Sequence, residues 1–293
     1  MPTFLESKKR VIAEIGINHN GDINLAKQLV KASYDAGCSW VKFQKREVEY
    51  CYSEEELKSP CDSPWGHTIE DKVRGRELDW NAFIEIDNFC RKLGMGWSAS
   101  CFDLVSARRL DTMFPQRPFN KIASAMAVRP TFVKAVAEQK LFTFLSTGLF
   151  ESLEDIFDCT KILEEEECPY VVMHCVPNYP APLERLNLSF IETLKREYCD
   201  GGIFKFCKGI GYSGHEISLM PSVIAAALGA DYIERHVTLD RAMYGADQAA
   251  SVEPQGLARL VRDVKQTDTI LGEDDKILYG DEKNPITYFR DDV

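Results

Sequence analysis

Long hydrophobic runs are missing from this sequence. No segment approaches the ~18 apolar residues that span a bilayer, and the N-terminus, MPTFLESKKR, has no apolar stretch of signal-peptide length. These absences lead us to expect a soluble, unprocessed, cytoplasmic protein. An excess of positive charge is missing too: 46 acidic residues stand against 35 basic ones, for a formal net charge of -11. Nucleic acid or an anionic membrane is therefore disfavoured as the main partner, and any anionic ligand must be held by locally concentrated cations. The ten cysteines include no CxxC pair and no short disulfide-scaffold spacing, so they read as reduced thiols. No Walker glycine loop is present, which argues against nucleotide-driven phosphoryl transfer.

What is there is enough apolar material, 45% of 293 residues, for one barrel-sized core. Eight short β-branched, apolar runs recur, at 11–17, 40–46, 95–102, 119–125, 141–148, 170–176, 210–215 and 232–238. Helix-period segments lie between them. Residues 24–37 place Leu25, Leu29 and Val30 on one face before a glycine stop, and 78–94 repeats the design. Residues 152–167 open with a Ser-x-x-Asp cap, and 216–229 and 254–272 complete the alternation. Strand and helix repeated to eight strands predict a single α/β domain, a (β/α)8 TIM barrel, over residues 1–275 with a short tail at 276–293 and no second domain. The polar, Pro/Gly/Ser-broken stretch 47–76 is expected to be an active-site loop or lid.

In such a barrel chemistry sits at the C-terminal ends of the strands. Glu14, Lys42, Gln44, Ser100, Lys121, Ser124, Ser146, Thr147, Tyr179, Ser213, His215 and His236 all fall in or just after predicted strands. A lone polar residue there is ordinarily a solvent-facing pleat or a satisfied core group, but a whole ring of them cannot all face solvent. His215 ends the seventh strand and His236 lies in the eighth, so strands ~4.8 Å apart bring both imidazoles to one side of the mouth. Two histidines completed by water and substrate oxygens suit a divalent ion such as Mn2+, Fe2+, Co2+ or Zn2+; the alternative is a core histidine beside a helix-cap neighbour. Lys42 and Lys121, flanked by Ser100, Ser124, Ser146 and Ser213, could hold a phosphate or be ordinary ion-pair partners. A phosphate beside a metal suggests either phosphoryl chemistry or carbon–carbon bond formation with a phosphorylated enol.

These residues sit in AEIGINHNGD (13–22), AGCSWVKFQ (36–44), KIAS (121–124), LSTG (145–148), MHCVPNYP (173–180), GYSGH (211–215) and ALGADYIERHVTLDRAM (227–243). Together, from about residue 10 to 275, the motifs resemble the sialic acid synthase (N-acetylneuraminate synthase) family. The resemblance implies a metal-dependent transferase that condenses phosphoenolpyruvate with an open-chain sugar aldehyde, giving a 2-keto-3-deoxy sugar acid and phosphate in carbohydrate biosynthesis. It further implies that His215 and His236 hold the metal, Mn2+ first, with Mg2+, Co2+ or another divalent ion as alternatives. Lys42, Lys121, Ser100, Ser124, Ser146 and Ser213 match phosphoenolpyruvate-binding positions, and Glu14, Gln44, Tyr179 and Asp247 match residues around the sugar. A homo-oligomer, a dimer, is implied as well.

The sequence departs from the family pattern at several points. Met126 stands where an acid is common, so the base has to lie elsewhere; Glu14 and Glu234 are the strand-borne candidates, and Glu14 is preferred. Ser-Thr-Pro-Phe-Asp has become ASCFD (99–103), Gly214 replaces a common Asp, and YGADQAAS (244–251) replaces another motif. Only YGDEKNPITYFRDDV follows the last predicted helix, so the family's antifreeze-like domain is expected to be absent. From this follows the expectation of an aldose without an N-acetyl group, unless Arg290 in the tail replaces the lost contact. The rivals are a keto-deoxy-octulosonate or heptulosonate synthase, or a barrel that binds ligand without turnover.

Overall fold

The computed structural model describes residues 8–273 and 275–276; the proposed tail and Arg290 lie outside these described residues. Ten strands are found: β1 (Arg10–Gly16), β2 (Trp40–Lys45), β3 (Pro60–Ser63), β4 (Gly66–Thr68), β5 (Gly96–Cys101), β6 (Asn120–Ile122), β7 (Thr143–Ser146), β8 (Tyr170–Cys175), β9 (Cys207–Gly214) and β10 (Tyr232–His236). Eight of them close into a barrel in the order β1-β10-β9-β8-β7-β6-β5-β2, every pair parallel. These are the eight runs expected from the sequence, and they show why each reads as almost unbroken apolar residues. A strand buried on both faces has no solvent side on which to alternate.

The helices are α1 (Ile23–Asp35), α2 (Val48–Cys51), α3 (Glu54–Lys58), α4 (Ile69–Arg76), α5 (Trp80–Leu93), α6 (Leu104–Met113), α7 (Ser124–Ala127), α8 (Pro130–Ala137), α9 (Leu153–Glu165), α10 (Phe190–Lys195), α11 (Met220–Ala227) and α12 (Pro254–Leu271). Their ends follow capping chemistry. Asp22 and Asp79 cap α1 and α5, and Ser152 forms the expected capping box with Asp155 at α9. The expected helix over 216–229 begins only at Met220, because Glu216 and Ser218 are engaged by a buried arginine described below.

Two apolar layers hold the barrel. The larger lies between the strands and the helices; the smaller fills the barrel interior with Ile12, Phe119, Phe144, Val171 and Met173, backed by Trp40, Phe142 and Tyr232. This plug is the apolar floor on which the polar mouth rests. The 47–76 stretch, expected to be a loop, is instead built from α2, α3, the β3–β4 hairpin and α4 around its own small core of Val48, Leu57 and Val73. A Ser53–Glu56 and a Thr68–Asp71 capping box fix its two main helices, so its polar composition hides local order. None of the described residues has a disulfide partner; all ten cysteines are free. No helix among the described residues is long and apolar enough to cross a membrane.

Candidate active site

At the C-terminal mouth of the barrel one cavity is lined by Glu14, Lys42, Gln44, Ser100, Lys121, Ser124, Ser146, Tyr179, Ser213, His215 and His236. Of the ring of strand-end residues expected from the sequence all but Thr147 are there; Asp247, marked by the family resemblance, is not. The β-register explains this convergence. Glu14 pairs across with Lys42 on one side and His236 on the other, Ser100 with Lys121, and Glu234 with Ser213. Side chains at these levels point inward above the apolar plug.

The centre is an ionic quartet. Lys42 Nζ lies 2.6 Å from Glu14 Oε2 and 3.6 Å from Glu234 Oε1, and Lys121 Nζ lies 3.2 Å from Glu234 Oε1. All four side chains are only 1–3% exposed, so desolvation opposes each charge and only their balance keeps them. Glu234 was named from sequence only as a secondary candidate, although its position two residues before His236 puts it on the same strand face. Burial pushes the Glu14 carboxyl up, to about 7, against the pull of Lys42. Burial also opposes the Glu234 charge, but Lys121 and Lys42 together hold that carboxyl well below the usual range. The two carboxylates are thereby divided into one that stays ionised and one that exchanges a proton near neutrality. Gln44 donates to Glu14 Oε1 at 3.0 Å. A Cβ on Gly16, at φ +57°, would meet both partners at 3.1–3.2 Å, so glycine leaves the room they need.

Hydroxyls surround the lysines. Lys42 donates to Ser100 Oγ at 2.8 Å, Ser213 donates to Glu234 at 3.3 Å, and the Ser124 hydroxyl oxygen accepts from the Gly148 amide at 3.1 Å. Ser146 Oγ is buried with no protein partner, a donor left for a ligand oxygen. Cys175, which the sequence did not single out, lines the cavity beside Ser124 Oγ at 3.6 Å, and burial keeps it a thiol.

The imidazoles of His215 and His236 do meet, with ring centroids 5.5 Å apart. Burial, and then each ring's cationic or imidazole neighbours, press both down to about 3, so both are neutral. His215 Nδ1 lies 2.7 Å from the Val176 carbonyl, which can only accept. Nδ1 therefore carries the proton and Nε2 the lone pair, to which the Tyr179 hydroxyl donates at 2.9 Å. His236 Nδ1 is buried without a hydrogen-bond partner, with Asp247 Oδ2 3.6 Å away. Asp247 thus stands beside the site without lining the cavity. Thr147 is spent on the Met173 carbonyl at 3.0 Å. Met126 is packed in the outer apolar layer and takes no part.

No residue of 47–76 lines the cavity; the segment packs Trp65 on Tyr244 with ring centroids 5.6 Å apart and brings the Arg76 charge to act on Asp247. Arg46, from the end of β2, was missed by the sequence reading. It donates to Glu77 at 2.7 Å and Gln44 Oε1 at 2.5 Å and stacks over the cavity-lining Phe102 at 4.4 Å.

With this geometry in view, similarity to known proteins is specific. Residues 29–276 match the NeuB family. The chain is 32% identical over 272 residues to the mouse (Mus musculus) protein named N-acetylneuraminate-9-phosphate synthase, covering 92% of this chain and 72% of that one. It is 33% identical to the Campylobacter jejuni protein named N,N'-diacetyllegionaminic acid synthase, covering 91% and 78%. Its structure resembles a crystal structure of N-acetylneuraminic acid synthetase from Leptospira borgpetersenii in complex with citrate, with TM-score 0.81, 30% identity, and 96% and 92% of the two chains covered.

Proposed function

The chain belongs to the NeuB family, and from that premise we propose how its barrel mouth carries out the reaction. The protein is a phosphoenolpyruvate-condensing synthase that joins the enol phosphate to a sugar aldehyde, giving a nonulosonate-type 2-keto-3-deoxy acid and phosphate. The observation that carries the residue assignment is the buried quartet of Lys42, Lys121, Glu14 and Glu234 set beside two neutral imidazoles.

Lys42 and Lys121 take the phosphate and carboxylate of phosphoenolpyruvate, helped by the hydroxyls of Ser100, Ser124, Ser146 and Ser213. Point charges in a dry site bind an anion far more strongly than the same charges in water. Glu234 keeps both ammonium groups charged and in place. Glu14, whose carboxyl exchanges its proton near neutrality, suits proton transfer at the reacting carbons. As C3 of the enol forms its bond to the aldehyde carbon, protonated Glu14 gives its proton to the aldehyde oxygen; water then adds at C2 and returns a proton to the Glu14 carboxylate, and the C2–O bond to phosphate breaks, the remaining hydroxyl proton leaving with the phosphate, to give the ketone. Gln44, Tyr179 and Asp247 orient the sugar.

The residues also fit a divalent cation. His215 Nε2 offers a lone pair toward Tyr179, His236 Nδ1 is an orphaned buried nitrogen, and a carboxylate lies 3.6 Å from it. Among the described residues no three histidine, cysteine or acidic side chains converge as a preformed cage, so the remaining ligands would come from water and substrate. Held by His215 and His236, Mn2+ or a similar ion would supply Lewis acidity toward the aldehyde oxygen. The test is phosphate release from phosphoenolpyruvate across a panel of aldoses and aldose phosphates, with Mn2+, Mg2+ or Co2+ added in turn. Strict dependence on one aldose class and on added cation is expected. Silence across the panel would favour a barrel that binds without turnover.

A further inference from the structure

Behind the mouth, on the outer face of β9 and β10, lies a second charged group that the chemistry above does not use. Arg235 and Glu216 are both fully buried. Arg235 Nη1 donates to Glu216 Oε1 at 3.0 Å, to Ser222 Oγ at 2.9 Å and to the Ser218 carbonyl at 3.0 Å, and Nη2 donates to the Glu216 carbonyl. The other Glu216 oxygen accepts from the Tyr212 hydroxyl at 2.8 Å. The placement in the chain is what matters. Glu216 directly follows His215, and Arg235 directly precedes His236. Because strand residues alternate faces, His236 and Glu234 point into the mouth while Arg235 points out of the barrel wall. A bond from Arg235 to Glu216 therefore ties the backbone bearing one imidazole to the backbone bearing the other.

Gly214 belongs to the same device. It pairs across with Arg235, and a Cβ there would sit 2.7 Å from Tyr212 Cε1 and 2.8–2.9 Å from the Glu216 carboxylate oxygens. Gly214 thus leaves the space in which the Glu216 carboxylate lies.

Stability alone does not account for such a pair. An outward strand position under a helix is ordinarily filled by an apolar side chain, and buried ion pairs are commonly replaced by apolar residues with no loss of stability. What an ion pair with five fixed hydrogen bonds supplies, and an apolar contact does not, is direction. We propose that Arg235 and Glu216, with Gly214 leaving room, form a positioning clamp that sets the spacing and orientation of His215 and His236 from behind the barrel wall. The consequence for cation binding rests on the reading of these histidines as ligands; the consequence for the imidazoles themselves does not.

The test uses the full chain labelled with 15N in histidine, in wild type, Gly214→Ala, Arg235→Lys, and the paired variant Arg235→Met with Glu216→Gln, which leaves no unpaired buried charge. The side-chain imidazole NMR signals are recorded without metal, followed by Mn2+ dialysis and phosphoenolpyruvate titration. The His215 and His236 signals are expected to shift or broaden in Gly214→Ala and the paired variant, while those of His19 and His67 stay in place; Arg235→Lys should fall between. Mn2+ affinity should drop ~10- to 100-fold, the usual effect of losing a group that orients ligands, and phosphoenolpyruvate affinity should hold. Unchanged His215 and His236 signals in the paired variant, or equal movement of His19 and His67, would overturn the clamp. If wild type binds no Mn2+, the cation reading falls while the metal-free imidazole signals still decide the clamp.

Discussion

Replacing Lys121 by Met separates what the quartet does for the fold from what it does for the substrate. Lys121 sits 3.2 Å from Glu234, both about 3% exposed, and among the described residues the only other cation on Glu234 is Lys42 at 3.6 Å. Stripping one partner from a buried pair costs ~3–5 kcal/mol. Because Lys42 and the Ser213 hydroxyl remain on the carboxylate, the low end, about 3 kcal/mol, is expected, or roughly 5–10 °C in Tm. Phosphoenolpyruvate binding should lose a further charge-assisted hydrogen bond, ~1.5–3 kcal/mol, or roughly 10- to 150-fold in Kd. The two effects part in Lys121→Met combined with Glu234→Gln. Neutralising the stranded carboxylate should return most of the stability, whereas the substrate's phosphate still finds one ammonium group fewer. Thermal unfolding and calorimetric titration of both variants give the four numbers needed. Should the combined variant regain phosphoenolpyruvate affinity along with its Tm, Lys121 is merely the counter-ion of Glu234 and its substrate role is wrong.

Three further outcomes are expected. His215→Ala and His236→Ala should each abolish turnover and lower bound Mn2+, because each removes one of two imidazoles; full retained stoichiometry in both by metal analysis would refute the ligand assignment. Tyr179→Phe frees the Nε2 lone pair of His215 from its 2.9 Å hydrogen bond, so Mn2+ should bind about fivefold tighter, a net hydrogen bond of ~1 kcal/mol, and a weaker Mn2+ would contradict the competition. Glu14 binds its proton more tightly folded, at about 7 against an ordinary 4.5, so the native state carries the extra proton between these values and stability must fall as pH rises through that window. Glu14→Gln should flatten the decline, which is on the order of 3 kcal/mol in chemical denaturation; parallel pH profiles for the two proteins would show that Glu14 is not the group responsible.

The sequence revealed the site where polarity and periodicity disagreed. Lys42, Lys121, Ser213 and His236 stand inside strands that have no solvent face, and such a residue has nowhere to point but the barrel mouth or a buried partner. Asp247 behaves otherwise. It sits past β10 in a segment without regular structure and reaches His236 only through tertiary packing, so the family motif alone marked it. The 47–76 segment misled because its order comes from two capping boxes and a three-residue core, none of which produces a hydrophobic period. The helices α6, α8 and α10 were not singled out, being short and lying against strands that already dominate the pattern. Glu216 and Arg235 were not singled out for a different reason: a charge next to a strand end is ordinarily solvent-facing, and only the contact between them shows that neither meets water.

The charge balance of the quartet has a consequence for catalysis. Two ammonium groups and two carboxylates sum to zero if Glu14 is ionised, so the resting mouth has little net attraction for an anion in a chain already at -11. Protonating Glu14 leaves one net positive charge at the same spot. On the proposed placement of the substrate, a phosphoenolpyruvate anion against Lys42 would push the Glu14 carboxyl higher still, since like charges within a few ångströms favour the neutral form. Substrate binding and proton uptake are then one coupled event, and the proton arrives on a carboxyl that already lies against Lys42 and Gln44. Glu234, held ionised by both lysines, cannot take that proton in its place. The division of labour between two chemically identical side chains follows from which of them has two cations at hand and which has one.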